Sequence, residues 1–258
     1  MSDSITLEDL PTEIIQKIVY NAISPLDFVN LGIVSKELNL ITGLINYPGF
    51  VDYENIKKIK NKSRFKTLTL YKNPEPDILD EISPTLLDLN IAGTNRETLK
   101  IPTSVQILKA SNAKISLDPV QNGNLKSLMI DFSTVIGEIP NSISDLGIGE
   151  MIYKIDHLTG LKRLAVDVCN YIRSGNTVQL CYPQLVDLLR RNKDLELLNL
   201  GFIPFDYEHM GGLKSSHYTI PNLPNLVTLC ITISGGHTPS TINFEPLPNL
   251  RDLLIDTA

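Results

Sequence analysis

VQILKA at residues 105–110, LKSLMI at 125–130 and ISDLGI at 143–148 share one pattern, with apolar side chains at the first, fourth and sixth places. The same hexad starts again at Phe65 (FKTLTL), Leu86 (LLDLNI), Leu161 (LKRLAV), Leu195 (LELLNL), Leu226 (LVTLCI) and Leu250 (LRDLLI). The first six units begin 18 to 21 residues apart, and the later gaps widen to 34, 31 and 24. Successive residues of an extended chain point to opposite faces, so places four and six put two apolar groups on one side of a short strand. A lone strand cannot enclose that side. Stacked units can, which predicts a solenoid with a parallel sheet along one face and places four and six in the core.

The surrounding residues fit that register. Proline precedes several hexads, as in Pro84-Thr85-Leu86, Pro102-Thr103-Ser104-Val105, Pro140-Asn141-Ser142-Ile143, Pro224-Asn225-Leu226 and Pro248-Asn249-Leu250. At a strand entrance it removes no ladder bond. In the longest gap, Leu185, Leu188 and Leu189 lie at helical spacing with Arg190 and Arg191 opposite, predicting one helix packed on the convex side. GFIPFDYEHMGGLKSSHYTI, residues 201–220, reads as a long exposed loop. The hexads resemble leucine-rich repeats, which implies that the parallel sheet lines the concave face over residues 65–258. The asparagine usual in such repeats is mostly absent, with Asn112 the nearest candidate, so the loops after the strands are expected to be irregular.

The first fifty residues follow a different period. Leu10, Ile14, Ile18 and Val19 recur at helical offsets around Pro11, predicting a helix from about 10 to 21. In Ser24-Pro25-Leu26-Asp27 the serine caps a second helix, the proline presets its first turn and the aspartate favours its positive end. Ser35 begins a third, carrying Leu38, Ile41, Leu44 and Ile45 up to Pro48-Gly49. Three helices in about forty residues bury too little surface to be comfortable alone. Ile14 and Ile15 cannot both point inward from one narrow helical face, so at least one needs cover from outside.

LPTEIIQKIVYNAISPLDFVNLGIVSKELNLI, within residues 7–47, resembles the F-box motif in its Leu-Pro-x-Glu-Ile start, its Pro-Leu-Asp middle and its Val-Ser-Lys close. Phe28 departs from the usual leucine, and Glu37-Leu38-Asn39 replaces basic and aromatic residues. The resemblance implies an α+β multidomain chain in which a three-helix F-box docks on a Skp-type adaptor, and through it on a cullin. Carried over position by position, the adaptor contacts are Leu10, Pro11, Ile14, Ile15, Ile18, Leu26, Phe28, Leu31 and Val34. The repeats would then hold a protein substrate through outward strand residues: Lys126, Met129, Asp131, Lys162, Arg163, Asp167, Glu196, Asn199, Arg251 and Asp252. The alternatives are an F-box scaffold outside any ligase and a free-standing repeat protein.

The rest of the chain narrows the function by exclusion. Residues 1–6 form a tail without a secretory leader's basic start and apolar run, and no apolar stretch approaches the roughly 20 residues that cross a bilayer, so a cytoplasmic or nuclear location is expected. Lys57, Lys58, Lys60, Lys62, Arg64 and Lys66 crowd residues 57–66, and in the segment 48–64 Ile56 and Ile59 at helical spacing predict a solvated helical linker. A net charge of -6 argues against general nucleic-acid affinity. Cys169, Cys181 and Cys230 read as small core residues, and His157, His209, His217 and His237 have no metal-site spacing. Gly147-Ile148-Gly149 falls within a repeat strand rather than a phosphate loop, and no nucleophile motif occurs. A non-catalytic receptor without cofactors is expected.

Overall fold

The computed structural model describes residues 9–22, 24–34, 36, 38–40, 51–56, 65–71, 79, 86–93, 97–118, 120, 122–149, 155–169, 182–203, 217–233 and 241–257. Two helices open it, α1 (Thr12–Ala22) and α2 (Pro25–Val34). Strand β1 (Val51–Asp52) and the short helix α3 (Tyr53–Ile56) follow. The repeats contribute β2 (Thr67–Leu70), β3 (Asp88–Ala92), β4 (Leu99–Lys100), β5 (Ile107–Ser111), β6 (Lys114–Ser116), β7 (Ser127–Asp131), β8 (Thr134–Ile136), β9 (Asp145–Ile148) and β10 (Arg163–Cys169). Helix α4 (Tyr182–Arg191) then precedes β11 (Leu197–Ile203), β12 (His217–Ile220), β13 (Thr228–Ile233), β14 (Thr241–Phe244) and β15 (Asp252–Thr257).

Ten strands make one sheet in the order β1-β2-β3-β5-β7-β9-β10-β11-β13-β15, every neighbouring pair parallel. Its register follows the hexads place for place. The third places align as Thr67, Asp88, Ile107, Ser127, Asp145, Arg163, Leu197, Thr228 and Asp252. At each turn the amide of the second place donates to the second-place carbonyl one turn back, from Leu87 to Lys66 at 2.8 Å through to Arg251 to Val227 at 2.9 Å. From Phe65 to Ile231 the first, fourth and sixth places are buried. Each such side chain larger than alanine, on transfer from water, contributes about 1.5–3 kcal/mol before entropy is counted.

The strand entrances are tight turns. The amides of Val105, Ile143 and Leu226 donate to the carbonyls of Pro102, Pro140 and Leu223, three residues earlier. Proline in such a turn offers its carbonyl and is not asked for an amide. α4 buries Leu185, Leu188 and Leu189 and exposes Arg190 and Arg191, as its spacing predicts.

The segments after the strands are more regular than expected. β4, β6 and β8 form a second parallel sheet, and β12 pairs with β14 in the same manner. Three consecutive turns leave the main sheet through a positive-φ residue at the eighth place: Gly93, Asn112 (φ 52°) and Phe132 (φ 45°). Gly137 closes the third of these turns at φ 98°, where a Cβ would lie 2.0 Å from the Leu117 carbonyl oxygen, so glycine is required.

The segment expected as a linker is partly sheet. Val51–Asp52 pairs with Leu68–Thr69, and Val51 is fully buried; Tyr53–Ile56 is helical, and 48–50 and 57–64 lie outside the described residues. Two residues of strand have no period to read. Of the expected three-helix unit, α1 and α2 are seen, and Lys36 and Leu38–Leu40 are helical, while 41–50 lie outside the described residues. Among the described residues the helices enclose no separate core. Ile15, Phe28 and Leu38 belong to the same buried cluster as the repeats, and the Phe28 ring meets Phe65 edge-on at 6.4 Å and 73°.

Candidate functional site

Two surfaces carry the residues singled out by the sequence. The first lies on α1 and α2. The Pro11 carbonyl accepts the first helical bonds, from the amides of Ile14 at 2.9 Å and Ile15 at 3.1 Å, so Pro11 stands just outside α1 rather than in its first turn. Ser24 caps α2: its hydroxyl accepts from the Asp27 amide at 3.2 Å and donates to the Asp27 carboxylate at 2.6 Å. These caps fix which faces turn outward. Ile15 and Phe28 are fully buried, and Leu10 and Leu31 are half-buried against the same cluster. Ile18 is half-buried and Pro11 exposed. Ile14 is 40% exposed and Val34 77%, joined by Leu40 at 72%, which the sequence reading passed over. The side chain of Leu26 lies outside those described.

The second surface is the outward face of the ten-stranded sheet. Lys126, Met129, Asp131, Lys162, Arg163, Glu196, Arg251 and Asp252 are exposed, and Asn199 is half-buried; the side chain of Asp167 lies outside those described. Several of these charges answer one another across strands. Arg163 reaches Asp145 at 3.3 Å, Lys162 reaches Glu196 at 3.7 Å, and the Thr228 hydroxyl donates to Asp252 at 3.4 Å. Exposed pairs of this kind are worth about 0–1 kcal/mol, so they set local charge balance more than stability. Gly147 and Gly149 allow Met129 and Asp131 to lie over the neighbouring strand, because a Cβ at Gly149 would come within 2.6 Å of the Asp131 carboxylate.

Burial creates one electrostatic irregularity on this face. Asp88 Oδ1 is buried without a hydrogen-bond partner, and loss of solvent raises its carboxyl above the usual range, opposed by the Lys109 ammonium on the adjacent strand.

Asparagines are the functional class within the fold that the sequence reading missed. Asn192, fully buried, donates from Nδ2 to the carbonyls of Leu158 and Leu188, both at 2.9 Å, and accepts from the Leu161 amide at 2.9 Å. Asn122 occupies the same place three residues before a hexad, donating to the Ile101 carbonyl at 3.0 Å and accepting from the Asp118 amide at 2.8 Å. Just before their hexads, Asn124, Asn225 and Asn249 each donate to a carbonyl of the preceding turn, those of Thr103, Lys193 and Pro224. Asn112, the residue first marked, serves instead as a positive-φ turn.

No group of three or more histidine, cysteine, aspartate or glutamate side chains converges on a metal-sized site among the described residues. His157 Nε2 lies 2.7 Å from the Ile139 carbonyl oxygen and 3.6 Å from the Glu138 carboxylate. No helix among the described residues is long and apolar enough to cross a membrane. No family model matches the chain, and no curated protein matches it either.

Proposed function

We propose that this chain is a substrate-receptor subunit of a Skp-cullin-F-box ubiquitin ligase, with its first helices docking on the Skp-type adaptor and the outward sheet face holding a protein substrate. The observation that carries the reading is the exposure of Ile14 and Val34 within the F-box-like sequence while Ile15 and Phe28 fill the chain's own core. Large apolar side chains held in water on capped helices suit a surface that another protein covers. Of the implied adaptor contacts whose side chains are described, Pro11, Ile14 and Val34 are exposed and Leu10, Ile18 and Leu31 half-buried, whereas Ile15 and Phe28 are buried. The receptor contributes effective concentration, bringing a bound target near the ubiquitin-charged enzyme, and performs no bond chemistry itself.

The test is co-purification of the full chain with a Skp-type adaptor and a cullin. The double variant Ile14→Lys, Val34→Lys alters exposed positions and should keep the wild-type urea midpoint while adaptor capture falls at least about tenfold. Unchanged capture by a folded double variant refutes the docking surface. Capture of adaptor without cullin replaces the ligase role by a scaffold role.

A further inference from the structure

The residues that cap α2 hold a feature that capping does not use, a serine followed directly by proline. Three such hydroxyl-proline pairs occur, Ser24-Pro25, Ser83-Pro84 and Thr238-Pro239, and Ser24 is the one among the described residues. It is exposed and stands one residue before α2. Two constraints hold its backbone extended: the proline ring crowds the residue ahead of it, and a capping residue lies outside the helical region. Its polar groups are tied into the first turn. The Ser24 carbonyl accepts from the Phe28 amide at 3.0 Å, and its hydroxyl donates to the Asp27 carboxylate at 2.6 Å while accepting from the Asp27 amide at 3.2 Å. Phe28, next after Asp27, is the buried residue whose ring meets Phe65.

We propose that Ser24 is a phosphorylation site for a proline-directed protein kinase, and that the added phosphate acts against Asp27 to loosen the start of α2. The Ser24 oxygen attacks the γ-phosphorus of ATP, the phosphoester forms as the bond to ADP breaks, and the hydroxyl proton passes to the kinase's base. The donor to Asp27 is thereby lost. In its place stands a group of charge about −1.5 to −2, beside a carboxylate that was within hydrogen-bond reach. Like charges at that range repel, and the positive end of α2 offsets only part of the repulsion. To separate them, the Asp27 side chain leaves its place or the first turn opens, and Phe28 sits on that turn. A looser α2 lowers adaptor capture. That consequence rests on the docking reading above; the modification and its effect on the helix do not.

The test uses the full chain with Ser83→Ala and Thr238→Ala, which leaves Ser24-Pro25 as the remaining hydroxyl-proline pair. It is incubated in the native state with ATP and a purified cyclin-dependent kinase, mapped by mass spectrometry of its peptides, and unfolded in urea. Phosphate should appear on Ser24, and the folded-to-unfolded ratio should fall about fivefold or more. Asp27→Asn, which removes the carboxylate and keeps a polar side chain of similar size, should accept the phosphate without that fall. Capture of a Skp-type adaptor should drop on phosphorylation of the Asp27 chain. The proposal is overturned by no phosphate on Ser24, by a urea midpoint that the phosphate leaves unchanged or raises, or by an equal fall in Asp27→Asn. Capture that the phosphate leaves unchanged refutes the link to docking. An unmodified chain that captures no adaptor removes the docking reading instead, while the mapped site and the urea midpoints still decide the modification and its effect on α2.

Discussion

Replacing Asn192 by alanine tests whether buried asparagines, more than the hexads alone, hold this solenoid in register. The side chain bonds three main-chain groups, two of them some thirty residues earlier, joining the end of α4 to the turn that enters β10. The Leu188 carbonyl keeps a partner in the variant, since it also accepts from the Asn192 amide at 3.2 Å. The Leu158 carbonyl and the Leu161 amide lose theirs. A buried group left unsatisfied costs about 1–3 kcal/mol, so the two together predict a loss of about 2–6 kcal/mol, with the lower end applying if a water enters the vacated space. Urea unfolding followed by far-ultraviolet circular dichroism should show a lower midpoint at unchanged slope. Asn192→Asp sharpens the test. It retains an acceptor for Leu161 but turns a carboxylate toward two carbonyls, so it should be as damaging at pH 7 and partly recover, relative to wild type, below about pH 4, where the protonated acid can donate. A change of less than about 0.5 kcal/mol for the alanine variant, the range of an ordinary surface substitution, would refute the reasoning.

Two further predictions concern the sheet and its turns. Phe132→Asn places at φ 45° a residue that tolerates the left-handed region, as Asn112 does at the equivalent place one turn earlier, and should raise stability by about 0.5–1 kcal/mol; a lower thermal midpoint would show that the exposed ring is held by contacts that outweigh the strain. Because burial raises the Asp88 carboxyl, the folded chain holds that proton more tightly than the unfolded one, so the group favours folding below the ordinary carboxylate range and disfavours it as pH rises through the raised value. Asp88→Asn should therefore stabilise at pH 7 and have little effect at pH 3, and a gap in urea midpoint that is the same at both would contradict the assignment.

The sheet was legible because its signal is repeated. Thr67, Asp88, Ile107 and their successors are dissimilar, yet the apolar residues around them fix a single register, and the third places of all nine hexads align. Features without repetition were lost. Val51–Asp52 is too short to show alternation, and its pairing is decided by Leu68 and Thr69 across the ladder. The second sheet was missed because only one or two apolar residues per turn, such as Ile115, mark it. Asn122 and Asn192 look like loop asparagines in the sequence, and what distinguishes them is the enclosure that the neighbouring turns create. The reverse held at the helices, where a crowded apolar pattern showed that some side chain must face outward but not that Ile14 would be exposed and Ile15 enclosed.

The edge-on meeting of Phe28 with Phe65 makes α2 part of the cover of the first repeat. Removing the helices would strip the buried Phe65 of the ring that meets it. With ten parallel strands spaced about 4.8 Å apart, the sheet also works as a ruler, holding its far edge roughly 40 Å from the first strand along the stack. Each strand thereby stands at a fixed distance from the helices along the stack.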